Sequence, residues 1–250
     1  MIGDERGPAA PAVGFFREER PPRSELRRHL ACVWAERSDR SDALLPDAAV
    51  ELVWSGRGLF VRGADTVAHA VDAFPHRTFV GVRFRPGAAA RVLGLGGTQL
   101  ADARVGVSEL WGRTEMERLE SQLAAAVSVD EAAAILEDAV SARVREPPDP
   151  AVEAVVAALR EQRVPVGELA DRIGLSERQL RRRCIDALGY GPKTLDRILR
   201  FQRFRALAGR LPAPGLAELA AAAGYADQPH LTRDCVRLTG RTPSTFLSRS

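Results

Sequence analysis

A repeat in the last 100 residues is the feature that most constrains the fold. Residues 168–174 (ELADRIG) match residues 218–224 (ELAAAAG) at an offset of 50, which becomes 51 after one extra residue in the turn. The later pairs are Leu180 with Leu231, Cys184 with Cys235, Gly189 with Gly240, Pro192 with Pro243 and Leu195 with Phe246. Each copy has a helical pattern, a glycine turn, a second helix and a glycine stop, which is typical of a helix-turn-helix.

Capping residues in each copy support this interpretation. Ser176 with Gln179 three residues later predicts a capping box at the start of the second helix. Asp227 can cap the equivalent helix of the second copy. Pro229 is tolerated in the first turn of that helix, because backbone amides there have no acceptor within the helix and proline therefore loses no hydrogen bond. The glycine that ends each second helix suits the left-handed conformation common at that position.

The arginine run Arg181-Arg182-Arg183 lies on the second helix of the first copy. Because an α-helix turns about 100° per residue, Leu180, Cys184, Ala187 and Leu188 form one buried stripe. Arg178 and Arg182 lie nearly opposite that stripe, and Arg181 and Arg183 lie at its borders. In the second copy, Arg233 lies opposite Leu231 and Cys235, so the same outward position holds arginine twice.

The charge of the chain is unevenly distributed. Residues 151–250 carry 17 basic and 10 acidic residues, a net charge of +7, whereas residues 1–150 carry 19 and 23, a net charge of −4. This asymmetry indicates one part that meets a polyanion and another that does not.

The first 145 residues have a different pattern. Four short β-branched or aromatic runs, separated by Pro, Gly, Asp and Ser, predict strands at 31–35, 50–54, 58–62 and 78–84. Leu26 and Leu30 predict a short helix before the first of them, with Ser24 as its cap. A helix is expected from Thr114 to Arg145, before the proline-rich stretch 146–150.

The expected fold class is therefore α+β. It combines an N-terminal small β-barrel or sheet with helices and a C-terminal all-α domain of two helix-turn-helix subdomains joined by a long helix. The expected boundaries are a flexible terminus at 1–12, a β-rich domain at 13–145, a linker at 146–150 and a helical domain at 151–250. The helix-turn-helix motifs are expected at about 166–189 and 216–240.

Residues 151–250 resemble the DNA-binding domain of the AraC/XylS family of bacterial transcription regulators. The resemblance is carried by Leu169-Ala170, Gly174, Ser176, Leu180, Arg182, Gly189, Pro192, Ala220, Gly224-Tyr225, Asp227, Leu231-Thr232-Arg233, Gly240 and Thr242-Pro243-Ser244. A linking helix from about Lys193 to Ala208 would complete the seven-helix plan of that domain. Cys184 and Cys235 depart from it, because the family usually has Phe there. Phe201, Phe204 or Tyr225 are expected to fill the volume.

The resemblance implies two recognition helices that enter successive major-groove segments on one face of double-stranded DNA. The expected base contacts are Arg178, Arg181, Arg182, Gln228, His230 and Arg233. The expected phosphate contacts are Arg183, Arg197, Arg200 and Thr232. The competing interpretation is that these residues form solvated helix faces.

The N-terminal region resembles a poorly characterised, cupin-like sensor-type domain, on Leu45-Pro46-Asp47, residues 50–54 and residues 81–88. The functional hypothesis is an effector pocket inside a barrel, lined or guarded by Trp34, Trp54, Arg83 and Arg85. The alternative is that these residues are structural aromatics and surface arginines. The chain is thus expected to be a one-component regulator. The second hypothesis is a DNA-binding protein whose N-terminal domain only dimerises or binds a protein partner.

Other functions fit the sequence less well. Of the four histidines, His29, His69 and His76 lie in the N-terminal region without H-x-H spacing, so neither a cupin metal site nor an enzyme is expected. Cys32 is expected to be buried, and residues 94–97 lack the lysine of a phosphate loop. We expect no cofactor and no membrane span. The protein is expected to be cytoplasmic and associated with the nucleoid. RNA polymerase and a second copy of the chain complete the expected partners. The helix 114–145 is a candidate surface for the second copy, and the alternative is that it packs against its own barrel.

Overall fold

An antiparallel sheet forms the N-terminal part of this computed structural model, which describes residues 16–37, 42–71, 77–161, 165–210 and 215–248. The strands are β1 (Phe16–Arg20), β2 (Leu30–Arg37), β3 (Asp42–Leu44), β4 (Glu51–Trp54), β5 (Leu59–Arg62), β6 (His69–Val71), β7 (Thr78–Phe84) and β8 (Arg104–Gly106). Six of them form one sheet in the order β1-β2-β7-β4-β5-β8, and β3 pairs with β6. The four predicted strands correspond to β2, β4, β5 and β7.

The central strands are buried because both faces of the sheet are covered. All four residues of β4 are buried, and buried and half-buried residues alternate along β5. Trp34 on β2 lies opposite Gly81 on β7. A Cβ atom at Gly81 would lie 2.5 Å from Cζ2 of Trp34, so only glycine lets the indole cross the neighbouring strand.

Helices follow the sheet. They are α1 (Ala89–Leu93), α2 (Gly97–Leu100), α3 (Ser108–Trp111), α4 (Arg113–Ala125), α5 (Val129–Ser141), α6 (Pro150–Arg160), α7 (Leu169–Ile173), α8 (Glu177–Leu188), α9 (Pro192–Ala208), α10 (Leu216–Ala223), α11 (Gln228–Thr239) and α12 (Pro243–Leu247). One buried apolar cluster runs from the sheet through α5 and α6 into the last helices. The α+β fold class is confirmed, with an open sheet in the part of the chain described.

Two helix predictions for the N-terminal part are wrong. Ser24–Leu26 is a single 3-10 turn without a side-chain cap among the described residues, and Leu30 already belongs to β2. The expected helix from 114 to 145 is two helices, α4 and α5. Ser128 accepts a hydrogen bond from the Glu131 amide at 3.1 Å, so it caps α5 and separates it from α4.

The C-terminal part has the seven helices, α6 to α12, that the sequence predicts within 150–247. The long helix α9 confirms the predicted connection between the two copies. Asp149 caps α6 by accepting from the Ala151 amide at 2.9 Å, so the proline-rich stretch ends where α6 begins.

The division into domains stays a prediction, and its first segment, 1–12, lies outside the described residues. No helix in the described ranges is long and apolar enough to cross a membrane.

The sheet region and the helical region are in direct contact. The α2 helix packs on the end of α8 so closely that a Cβ atom at Gly97 would lie 2.4 Å from the Gly189 nitrogen. The Ala68 amide donates to the Leu238 carbonyl on α11 at 2.7 Å. The Gln202 amide group on α9 donates to the Pro46 carbonyl. The N-terminal part thus contacts both predicted recognition helices and the helix between them.

Candidate nucleic-acid interface and the adjacent cleft

The start of each predicted recognition helix is capped as the sequence indicates. In α8 the Ser176 hydroxyl accepts from the Gln179 amide at 3.2 Å, and Oε1 of Gln179 accepts from the Ser176 amide at 3.0 Å. In α11 the Asp227 carboxylate accepts from the His230 amide at 2.6 Å. Gly189 and Gly240 end the two helices with φ of 86° and 71°. The capping predictions are confirmed.

The inner faces of α8 and α11 also match the prediction. The buried residues are Leu180, Cys184 and Leu188 in α8, and Leu231, Asp234, Cys235 and Leu238 in α11. Both cysteines are fully buried. Burial, with a smaller contribution from the Asp149 charge, raises the pKa of the Cys184 thiol to about 12. Phe201 and Phe204 are also fully buried, and their rings pack against Phe246.

The outer faces present the predicted base contacts to solvent. Arg178, Arg181 and Arg182 on α8 are exposed, as are Gln228 and Arg233 on α11. None of these five side chains forms a hydrogen bond or an ion pair within the described part of the chain. They are therefore available for an external partner.

His230 differs from the other five predicted base contacts. Its imidazole is half-buried, with its ring centroid 5.2 Å from that of Tyr225 in an edge-on arrangement. Nε2 of His230 lies 3.6 Å from Oδ2 of Asp234, one helical turn further along α11. His230 thus already contacts its own helix.

Three of the four predicted phosphate contacts form ion pairs within the protein. Nη1 of Arg183 lies 3.1 Å from Oδ1 of Asp149, and Nε of Arg197 lies 3.1 Å from Oδ1 of Asp234. Arg200 is bound to Asp196 at 3.2 Å and lies 3.8 Å from Asp234.

Thr232, the fourth predicted phosphate contact, donates to the Gln228 carbonyl of its own helix at 3.0 Å. Phosphate binding by any of the four residues stays a prediction.

A cleft of about 470 Å³ lies between the sheet and the helices α6 and α9. The sheet side contributes Cys32, Asp47, Ala49, Arg83 and Phe84, and the helix side contributes Arg160, Leu199, Gln202, Arg203 and Ala206. The walls combine apolar surface with three guanidinium groups. The sequence does not indicate the helix-side residues, because they become neighbours of the sheet only when the two regions pack together.

Of the four predicted effector-pocket residues, Arg83 alone belongs to the cleft wall. Its Nη2 lies 3.3 Å from Asp47 and its Nε donates to the buried Glu51 at 2.8 Å, so it is held in place from the sheet side. Trp34 and Trp54 are buried. Arg85 is exposed and donates to the Arg27 carbonyl at 2.7 Å.

Cys32 is half-buried on the cleft wall, so the expectation that it is buried is wrong. The pairing of β2 with β7 shifts register between Leu30 and Cys32. Cys32 lies on the side of β2 that meets the cleft instead of the core.

Asp65, His69 and Asp102 bring potential metal-ligating atoms within 4.8 Å of one another. Both carboxylates already have protein partners. Arg104 donates to the two oxygens of Asp65 at 2.9 and 3.0 Å, and Thr66 donates to Asp102 through its amide and its hydroxyl. The cluster is explained as a hydrogen-bonded ion pair. His76, another candidate from the sequence, lies outside the described residues.

Two family models match separate parts of the chain. A family described as "Helix-turn-helix domain" matches residues 169–249, and a family described as "Domain of unknown function (DUF6597)" matches residues 18–106. No curated protein matches the sequence.

Solved structures of ToxT from Vibrio cholerae are among the matches to this chain. The ToxT structure from strain O395 is 10% identical, with a TM-score of 0.45 over 86% of this chain and 95% of that one. The unsaturated fatty acid-bound ToxT from strain SCE256 is 9% identical, with a TM-score of 0.47 over 86% and 93%. RNA polymerase and a second copy stay predicted partners.

Proposed function

We propose that this chain is a DNA-binding transcription regulator of the AraC/XylS type, in line with the helix-turn-helix family that matches residues 169–249. In this proposal its two helix-turn-helix copies read two adjacent major-groove segments and its N-terminal part senses a small molecule. The observation that supports DNA reading is the outward arginine that is repeated in the two copies. Arg182 and Arg233 occupy equivalent positions of α8 and α11, and both are exposed. Neither forms a hydrogen bond or ion pair with another residue in the described ranges.

Base readout follows from the chemistry of these side chains. A guanidinium can donate to O6 and N7 of one guanine together, which is worth about 1–3 kcal/mol of discrimination between bases. Arg178 and Arg181 flank Arg182 on the first helix. Gln228, His230 and Arg233 supply the equivalent groups on the second, where His230 must turn from Tyr225 to reach a base. We propose no enzymatic activity for this protein, and we propose that it acts at the bacterial nucleoid.

The test is selection from a pool of random duplexes, because the natural site is not specified by the sequence. We expect the wild-type protein to enrich a site with two halves. Arg182→Ala should lose base preference in one half and Arg233→Ala in the other. The matched control is Arg172→Ala on α7, which removes an exposed arginine whose ion-pair partner is Glu168. Enrichment of the wild-type site by Arg182→Ala would contradict the assignment.

For the sensing half, the cleft is the candidate effector site, and its charge favours an anionic ligand. Partial desolvation, then the positive charge of Arg85, lower the pKa of Arg160, and desolvation also lowers that of Arg203. The three guanidinium groups of the cleft wall, Arg83, Arg160 and Arg203, outnumber its two carboxylates, Glu19 and Asp47, so an anionic group would meet a net positive charge there. The apolar side chains Phe84, Leu199 and Ala206 favour a hydrocarbon portion. We therefore propose a small organic acid with an apolar body.

A panel of small aromatic and aliphatic carboxylic acids, each paired with its neutral amide, tests this proposal. A bound acid should raise the melting temperature, since a ligand of the native state at 100 times its Kd adds about 2.7 kcal/mol of stability. It should also change the affinity for the selected DNA. Arg160→Gln should abolish both effects, whereas Arg57→Gln, an exposed loop variant, should not. If DNA is bound but neither acids nor amides have any effect, the alternative of a purely dimerising or partner-binding N-terminal part is favoured.

A further inference from the structure

One position in each recognition helix forms an ion pair with a supporting helix. The offset of 51 that pairs Cys184 with Cys235 also pairs Arg183 with Asp234, the residues just before the two buried cysteines. Arg183 is half-buried and Asp234 is buried, whereas the outward arginines are exposed. The two residues have opposite charges, and each meets an oppositely charged group on a different helix.

In the first copy this ion pair joins α8 to α6. Nη1 of Arg183 lies 3.1 and 3.3 Å from the two oxygens of Asp149, which also caps α6. The α6 helix is in turn attached to the N-terminal part, because Glu153 pairs with Arg28 at 3.0 Å. The Asp149 side chain is 15% exposed and that of Arg183 is 42% exposed, so the pair is largely shielded on the acidic side.

In the second copy the ion pair joins α11 to α9. Asp234 is 8% exposed and lies between Arg197, at 3.1 Å, and Arg200, at 3.8 Å. The Arg200 guanidinium is also 5.2 Å from the centroid of the Tyr225 ring, and Asp196 balances its charge from the same helix. These arginines are thus held against the second copy along one face of α9.

Shielded ion pairs contribute little net stability, because desolvation offsets most of the attraction, but they oppose displacement from one geometry. The α6 and α9 helices pack on each other. The two ion pairs therefore fix where α8 and α11 lie relative to a common support. We infer that Arg183 and Asp234 are positioning residues that set the spacing and angle between the two recognition helices, and thereby the separation of half-sites that the protein accepts.

This inference rests on the proposed function and competes with the prediction that Arg183, Arg197 and Arg200 bind phosphates. The two roles differ in their salt dependence. Loss of one phosphate contact lowers the slope of log K against log salt concentration by about one, whereas loss of an internal ion pair leaves that slope unchanged.

The experiment uses the full chain and the duplex that it enriches from the random pool, together with copies of that duplex in which one base pair is added or removed between the halves. One base pair shifts the second half by about 3.4 Å and about a tenth of a turn. We expect the wild-type protein to bind the altered duplexes about tenfold more weakly, equivalent to about 1.4 kcal/mol. Arg183→Ala should reduce that difference to about twofold and keep the salt slope of the wild-type protein, while Arg183→Lys restores the spacing preference.

Asp234→Ala should have the same effect through the other recognition helix. Asp234→Asn keeps the shape and an acceptor for Arg197, so it provides a folded variant if the alanine variant unfolds. The control is Asp186→Ala, which removes an exposed acid of α8 that has no partner in the described ranges and should keep the spacing preference. An unchanged spacing preference in both Arg183→Ala and Asp234→Asn, or a salt slope lowered by about one in Arg183→Ala, overturns the inference. Enrichment of no sequence by the wild-type protein instead overturns the proposed function itself.

Discussion

The two helix-turn-helix copies share their local design but differ in what holds them. Both have a capped recognition helix, a buried cysteine, a terminal glycine with positive φ and an outward arginine. The end of the first recognition helix is packed against α2 of the N-terminal part, whereas the second is held by the charged face of α9 and one backbone hydrogen bond from Ala68. In this chain, therefore, the two copies share their caps and their outward arginine, while the contacts that support their recognition helices differ.

The largest expected difference between the copies concerns their terminal glycines. At Gly189 a Cβ atom would lie 2.4 Å from the Gly97 carbonyl oxygen and 2.6 Å from Cβ of Ala101, whereas at Gly240 it would meet nothing within 4 Å. Gly240→Ala pays only for the left-handed backbone, about 1–2 kcal/mol. Gly189→Ala should lose about 2–4 kcal/mol, because α2 must also move. Denaturant unfolding of both variants measures this, and equal losses would contradict the described packing of α2 on α8.

A second difference concerns the buried thiols. Burial raises the pKa of Cys184 to about 12, whereas the rise for Cys235 is opposed by its hydrogen bond with Thr239. A thiol whose pKa is raised on folding contributes full stability below its unfolded value of about 8.5, and that stability is lost as the pH rises towards the folded value. The free energy of unfolding should fall by about 1 kcal/mol for Cys184 between pH 8.5 and 9.5, because the unfolded thiol is only half ionised at the start of that interval.

The check is the pH profile of stability in Cys184→Ala, which should decline less steeply above pH 8.5 than that of the wild-type protein. Cys235→Ala should flatten the profile by a smaller amount. Raised pKa values of the buried Tyr190 and Tyr225 add a further decline at higher pH in all three proteins. Identical profiles for the wild-type protein and Cys184→Ala would show that the Cys184 thiol is not desolvated as described.

The smallest expected effects come from the caps. Ser176→Ala removes the hydroxyl of a capping box, and Asp227→Ala removes the carboxylate that accepts from His230. Each should cost about 1 kcal/mol of stability, with similar values because the two caps do the same work. Ser248→Ala, which removes a hydroxyl near the end of the described chain, serves as the control. A loss confined to one copy would show that the repeat is less regular than its sequence indicates.

The sequence predicts the C-terminal part well because its signals are local. Ser176, Gly189, Asp227 and Gly240 each act on residues three or four positions away, so pattern alone places the helices. The N-terminal part is harder. The β1 strand (FREER) is a charged edge strand without apolar alternation, and the break between α4 and α5 contains neither Gly nor Pro.

The cleft and the ion pairs depend on tertiary packing. Cys32, Arg83 and Arg160 meet across more than a hundred residues of chain, and no local pattern connects them. For the same reason, the sequence could not predict which arginines are exposed and which form ion pairs within the protein. Arg182 and Arg183 are neighbours in sequence, but one is exposed and the other pairs with Asp149.

Footprinting on the selected duplex tests the central claim most directly, namely that two copies read two segments of one DNA face. Hydroxyl-radical protection by the wild-type protein should show two segments centred about one helical turn apart, about 10 base pairs. Arg182→Ala should weaken protection of one segment and Arg233→Ala that of the other. A single protected segment, or the same segment weakened by both variants, would contradict the account.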